Sequence, residues 1–379
     1  MAMLILHRKR RIADSQGNSA DTSSDATASD TLASADSATS ATSATSADSV
    51  TSADSATQSA SSTFDESKAA AAAIAENPEK PNPSFNHSAG SIVIGMILTL
   101  LGGALWGTNA TVSKILMMNY HVSPMQIACV RQFATGILFI IIAAIFTPKQ
   151  LVKVFGAGRD WFMIVATGMV CVLFAQITYL MAIDWTNSGT ATVLQSLNLL
   201  FVLLYVCLRN RRTPTMRENV GVILAFAGTA LMATGGNINS LSLPIMGLVW
   251  GLGDAFSTAA LAIMPMKLVA KWGSFVINGI TFIIAGSILM PFVRPWATLP
   301  PLDAFAISLF VFTVVGGTFG AYWLFLAGVM RVGSVRATLL GASEPVLAAI
   351  TGVIFAGAVF SWADFVGFLL IFIMMTLIR

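Results

Sequence analysis

The sequence predicts an all-α integral membrane protein of ten transmembrane helices, arranged as a five-plus-five inverted repeat. Three observations lead there. The chain is 55% hydrophobic and 10% charged, with a mean hydropathy of +0.77, whereas soluble domains average about 25% charged residues. From Gly90 onward, apolar runs long enough to cross a bilayer follow one another through short connections. Basic residues fall on alternate loops, and the two halves of this region repeat one another in span number and in local pattern.

The polar start of the chain is a unit of its own, residues 1–87. MAMLIL precedes a basic cluster, HRKRR at 7–11, and a Ser/Ala/Thr/Asp tract follows with near-repeats such as TSADSVTSADSAT at 45–57. Eleven of the 18 acidic residues lie in this unit. It has almost no aromatic residues and no apolar period, so it cannot bury enough surface to offset its ordering entropy and is expected to be disordered. The short apolar stretch precedes the charges, which does not fit a secretory signal.

The ten expected spans are 91–115, 124–146, 161–183, 188–207, 219–235, 244–266, 274–295, 304–328, 334–357 and 362–378. Connections carry turn and interface residues, among them Asn119, Tyr120 and His121, Pro148, Pro214, Gly235 and Gly236, and Pro300 and Pro301. With the N-terminus in the cytoplasm, twelve basic residues fall on the inner side: Lys149, Lys153, Arg159, Arg209, Arg211, Arg212, Arg217, Lys267, Lys271, Arg331, Arg336 and Arg379. Arg294 falls outside and Lys114 near the outer end of the first span. That bias orients the chain with both termini in the cytoplasm of a multi-pass plasma-membrane protein. The three cysteines, Cys129, Cys171 and Cys207, lie in or beside apolar runs and suggest no disulfide framework.

The repeat divides the membrane region into residues 88–236 and 237–379. SGTATVL at 188–194 matches SVRATLL at 334–340, and the same offset of 146 sets Asn198 opposite Glu344 and Leu199 opposite Pro345. Gly103-x-x-x-Gly107 in span one matches Gly247-x-x-x-Gly251 in span six, and both spans end in a lysine, Lys114 and Lys267. Five spans per copy make the second copy enter from the opposite side, an arrangement that many transporters use to switch access to a midplane site.

These features resemble the EamA branch of the drug/metabolite transporter superfamily. The resemblance rests on the GALWG run at 103–107 with Lys114 beyond it, on Arg131 early in span two, and on the segments 188–201 and 334–346, the latter holding Glu344 and Pro345. It covers about residues 90–379. It implies the ten-span inverted repeat and transport of a small solute, often export. Leu199 stands where such proteins often carry proline, and span ten is short.

Ionisable groups within hydrocarbon cost several kcal/mol unless paired or hydrated, so the few present are the candidate site. Arg131 lies about 12 Å into span two; it either anchors an anionic group or clamps the span to neighbouring carbonyls. Glu344 lies at a similar depth in span nine, beside Pro345, which would free a backbone carbonyl. It either carries a proton, with Pro345 as part of a gate, or bonds the backbone at a kink. Asp254 shares a helix face with Gly247, Gly251, Ser257 and Thr258. Trp106 and Asn109 in span one, Gln176 and Tyr179 in span three, Gln195 and Asn198 in span four, and Tyr322 and Trp323 in span eight complete a candidate polar and aromatic chamber for an amphipathic organic molecule. Each alone also fits simple helix packing.

The membrane region holds one histidine, His121, and no His/Cys/Glu cluster with metal-ligand spacing. It has no GxxxxGK[ST] loop for ATP and no histidine partner for a serine nucleophile. No basic folded surface points to nucleic acid. The expected partners are therefore the lipid bilayer, a small-molecule substrate and a proton as candidate coupling ion, with no cofactor and no catalytic residues. Sugar-phosphate or nucleotide-sugar exchange is the alternative within the superfamily, and would call for more cations than Arg131 with Arg336 and Lys267. A non-transporting membrane enzyme or receptor is the alternative outside it.

Overall fold

The computed structural model describes residues 89–156, 158–237 and 241–378; the tail read as disordered lies outside the described residues. All regular structure among these is helical. Helix α1 (Ala89–Tyr120) runs 32 residues without a proline, about 48 Å. The turn expected at 119–121 therefore begins two residues later: the helix continues through Tyr120, and His121, at φ +53°, reverses the chain. Ser123 then caps α2 (Pro124–Phe146), exchanging hydrogen bonds with Gln126, while Pro124 occupies the first turn, where its missing N–H costs nothing.

Pro148, expected in a loop, instead starts the short amphipathic α3 (Pro148–Phe155). Span three is α4 (Arg159–Ala166), a π-helical stretch (Thr167–Leu173) and α5 (Phe174–Trp185). Span four is broken in two, α6 (Ser188–Gln195) and α7 (Asn198–Asn210), with Ser196 and Leu197 between them. Helix α8 (Met216–Thr234) starts on a Thr215–Glu218 capping box and stops at Gly235, whose φ of +61° suits a residue without Cβ.

The second half reads in parallel. Helix α9 (Ile245–Ile263) leads through Pro265 into α10 (Met266–Trp272), followed by α11 (Ser274–Val293) and the single turn α12 (Pro295–Thr298). Span eight is α13 (Ala304–Val311), a second π-helical stretch (Phe312–Gly320) and α14 (Ala321–Val332). Span nine is again broken, into α15 (Ser334–Gly341) and α16 (Ser343–Ala356), and α17 (Trp362–Leu377) follows. Pro345 does not itself make the break. The chain interrupts at Ala342, and Pro345 sits in the first turn of α16, where no intrahelical bond is lost.

Among the described residues, seven helices are long and apolar enough to cross a membrane: Gly90–Tyr120, Pro124–Phe146, Arg159–Trp185, Ser188–Asn210, Ile245–Ile263, Ser274–Val293 and Ala304–Val332. Ser343–Ala356 and Trp362–Leu377 are shorter apolar helices, and α8 opens on a polar turn, Met216 to Asn219. The outer surface carries Ile94, Leu101, Ile145, Ile223, Phe226, Phe256, Phe365 and Leu369, while Asn109, Arg131, Gln132 and Asp254 are buried. This reversal of the soluble pattern suits a lipid solvent.

Packing interleaves the two halves. Helix α2 lies along α11, α1 along α14 and α16, α9 along α5, α6 and α7, and α8 along α17. Moving every member of this set five spans along the chain returns the same set.

Candidate functional site

Six helices from both halves bring ionisable groups and their polar neighbours together inside the bundle. Arg131, on α2, is 2% exposed. Its Nη2 donates to Gln176 Oε1 on α5, and its Nε has no partner among the described residues. One turn beyond Gln176, the phenol of Tyr179 lies within electrostatic reach of Arg131, Asp254 and Glu344. Tyr322, on α14, lies within reach of Arg131 and Glu344.

Asp254, on α9, is fully buried. Thr258, one turn on, donates to its Oδ1 at 3.3 Å. Gln195 at the end of α6 lies beside the carboxylate, and Oδ2 has no partner among the described residues. Glu344 interacts with Asp254 as a second negative charge. It is half-buried in the first turn of α16, where unpaired N–H groups and the positive end of the helix dipole favour a carboxylate without a basic partner. Among the described residues the salt bridges are Arg212–Glu218 and Lys271–Asp160; neither involves Arg131, Asp254 or Glu344.

An aromatic wall adjoins these charges. Trp106 on α1 meets Tyr322 edge-on at 5.2 Å and Phe325 at 5.0 Å between ring centres. Tyr322 also packs against Phe139 at 5.9 Å and Phe282 at 6.1 Å. Small residues permit this approach: a Cβ on Gly107 would meet Ala348 N at 2.8 Å and the Glu344 carbonyl closer still.

Trp106, Arg131, Gln176, Tyr179, Gln195, Asp254, Thr258, Tyr322 and Glu344 are thus one connected group. Other expected members stand apart. Ser257 donates to the Asp254 carbonyl at 3.0 Å and shares a 3.3 Å hydrogen bond with Thr178, which joins α9 to α5. Asn109 donates to the Gly317 carbonyl in the second π-helical stretch at 3.3 Å, and its Oδ1 is unpartnered among the described residues. Trp323 packs against Phe275 and Phe319 at 5.5 and 6.0 Å. Asn198 is half-buried at the start of α7, and Pro345 is buried in α16.

Sequence reasoning missed two polar features. Gln132, next to Arg131, is fully buried with both amide atoms unpartnered among the described residues; an amide in so apolar a run was a readable signal. Thr111, Ser188 and Thr351 form a hydroxyl knot joining α1, α6 and α16, with bonds of 3.0 and 2.7 Å from Thr111. Single hydroxyls within apolar runs give no sign of such convergence. A separate open groove of about 520 Å³, lined by Ser123, Met125, Gln126, Ile177, Leu289, Phe292, Val293 and Thr298, contains none of the charged residues.

Apolar exterior, spanning helices and an interior furnished with unpaired charge define a multi-pass membrane protein with a polar centre. The sequence model of the EamA-like transporter family matches residues 93–234 and again 245–379. The chain belongs to that family. It is 28% identical over 282 residues to "Uncharacterized inner membrane transporter YicL" of Salmonella typhimurium, covering 74% of this chain and 94% of that one. It is 22% identical to "Uncharacterized transporter YwfM" of Bacillus subtilis, covering 72% and 88%. Over 105 residues it is 31% identical to "Probable 4-amino-4-deoxy-L-arabinose-phosphoundecaprenol flippase subunit ArnE" of Erwinia tasmaniensis, 26% of this chain and 97% of that one. A solved structure described as "Crystal structure of protein" shares the fold, with a TM-score of 0.51 at 17% identity, covering 76% of this chain and 96% of that one.

Proposed function

We propose that the chain is a secondary transporter that moves a small organic solute — an amino acid, metabolite or drug-like compound — out of the cell by alternating access. In this reading, two five-helix halves, 88–236 and 237–379, form a ten-span inverted repeat in the plasma membrane, with both termini cytoplasmic. The carrying observation is that Arg131 and Asp254 are buried in the interior, each with an unpartnered polar atom and without an ion pair among the described residues. Interior charges are costly and are kept where a solute or ion completes them. The repeat is supported by the two family matches, by helix contacts that map onto themselves, and by π-helical stretches and helix breaks at corresponding positions in each half.

Glu344 is the proton carrier in this mechanism. It sits beside the Ala342 break, where the two half-helices can change their angle, with Pro345 holding the start of the second half. Asp254, Thr258 and Gln195 offer acceptors and donors to a cationic or hydroxylated part of the solute, Arg131 and Gln176 take an anionic or carbonyl part, and Trp106 and Tyr322 cover its apolar body. Exchange of a phosphorylated solute is less well supported, because Arg131 is the cation in this group.

The test is uptake of labelled candidate solutes into inverted membrane vesicles, with and without a proton gradient. Gradient-driven uptake is expected for the parent chain, and its loss for Glu344→Gln at unchanged protein level. Full gradient-driven uptake by Glu344→Gln removes the proton role; no uptake of any candidate by the parent counts against transport.

A further inference from the structure

Among the polar contacts between the two halves outside the central group, two are made by carboxylates at the start of a span. Asp160, in the first turn of α4, accepts at Oδ2 from Lys271 Nζ at 2.7 Å and from Trp272 Nε1 at 2.9 Å, both in the last turn of α10. Asp303, the cap of α13, accepts at Oδ2 from the Tyr120 hydroxyl at 3.3 Å, at the end of α1. Each contact joins the beginning of the span that carries a π-helical stretch in one half to the end of the first span's helical run in the other. They are the same junction, made once in each direction.

They also lie on opposite faces. Lys114 Nζ donates to the carbonyls of Ile183 and Asp184 at 2.9 and 2.8 Å, which sets the end of α1 beside the end of α5. Residues Arg159–Trp185 form one spanning run, so Asp160 at its start is on the face away from Tyr120. The spans that begin at Asp160 and Asp303 are the ones that carry Gln176 and Tyr179, and Tyr322, to the central group.

We propose that Asp160–Lys271–Trp272 and Asp303–Tyr120 are a matched pair of latches, one closing each mouth of the central site. This rests on the transport reading. Releasing the Asp160 latch lets α4 part from α10 and opens that face, while the Asp303 latch holds the other shut; the opposite release gives the opposite opening. The two differ in chemistry. The first is an ion pair with an indole donor and weakens with salt; the second is a hydroxyl on a carboxylate and is much less salt-sensitive.

The experiment places a reporter cysteine at the central group, Thr258→Cys, in the full chain in oriented vesicles, and measures labelling by a membrane-impermeant maleimide from each face. The native Cys129, Cys171 and Cys207 are buried, and the chain without the reporter sets the background. Asp160→Asn is expected to raise labelling from the Asp160 face about 2–5-fold, the range an exposed ion pair supports, and to leave the other face unchanged. Tyr120→Phe, which spares the Asp303 cap, is expected to do the reverse. Where Asp160→Asn does not fold, Lys271→Met reads the same latch. Equal rises on both faces, or no change on either, overturn the proposal. The labelling needs no solute, so side-specific opening supports the latches even where the uptake assay fails, and uptake without it leaves transport standing and the latches refuted.

Discussion

Adding one methyl group at Gly286 tests how tightly the two halves are joined. Gly286 lies on α11 against α2, where a Cβ would stand 2.7 Å from Phe133 N and 2.8 Å from Phe133 Cα and Cβ. Carbon contacts settle near about 3.5–4.0 Å, and backbone atoms cannot rotate aside, so the helices must separate by roughly 0.7 Å or more. Overpacking of this kind costs about 1–3 kcal/mol, against which alanine gains up to about 1 kcal/mol in helix propensity. Gly286→Ala should therefore lose about 1–2 kcal/mol, a fall of about 2–8 °C in unfolding temperature for a domain of this size. The measurement is thermal unfolding in detergent, followed by a thiol-reactive dye that reads exposure of the buried cysteines. Gly253→Ala, whose nearest neighbour is Thr178 Cγ2 at 3.4 Å, should leave the temperature unchanged or raise it. Gly136→Ala on the facing helix, 2.7 Å from Ile283 N, should add less to Gly286→Ala than it costs alone, because one separation relieves both. A Gly286→Ala chain that unfolds at or above the parent's temperature refutes the close α2–α11 approach.

Two further predictions concern the ends of helices. Lys114→Met removes the donor that satisfies the last carbonyls of α5, a charged hydrogen-bond set worth about 1.5–3 kcal/mol, and should lower the unfolding temperature more than Lys114→Arg does; equal effects of the two would sink the capping role. At the start of α8, before the expected span at 219–235, Glu218 receives Arg212 at 2.7 and 2.8 Å and Thr215 N at 2.6 Å. The Arg212 guanidinium holds its carboxyl down from 4.5 to about 2. A carboxyl depressed by folding stabilises fully above its unfolded value and loses that contribution as pH falls toward its folded value. The parent should lose stability as pH falls from about 5 to about 2, and Glu218→Gln should lose less over the same window; parallel curves would show that the pair does not act.

What the sequence revealed was what hydrocarbon demands locally. Apolar runs and the few interior charges could be read directly because each is a short-range signal. The break at Ser196 and Leu197 could not, since no proline marks it, and Pro345 drew attention to itself when the interruption lies at Ala342. Helices α3 and α10 were missed because seven or eight residues between spans look like a connection. Arg131 and Asp254 were legible as costly groups, and Gln176, Tyr179, Gln195 and Tyr322 as candidates, but which of them meet was not: Gln176 is 45 positions from Arg131, and only the fold brings Tyr179 and Tyr322 within electrostatic reach of Arg131 and Glu344. Trp323 and Tyr322 are adjacent in the chain yet enter different packing, because successive residues on a helix point about 100° apart.

The separation of charge is itself informative about mechanism. A direct bond from Arg131 to either acid would satisfy both groups, and removing one partner of a buried pair costs about 3–5 kcal/mol. A carrier built that way would resist the rearrangement it has to make. Here the burden is divided instead. Arg131 rests on an amide, Asp254 on a hydroxyl with an amide beside it, and Glu344 on the first turn of a half-helix; Arg131 Nε and Asp254 Oδ2 stay without a partner among the described residues. In the transport mechanism proposed above, partial satisfaction would make the empty site tolerable in one arrangement of the halves and leave room for a solute or a proton to stabilise another. The same logic fits the placing of the ion pair across the halves, Asp160 with Lys271, at the end of its helices rather than in the central group: an exposed pair can open into water at small cost.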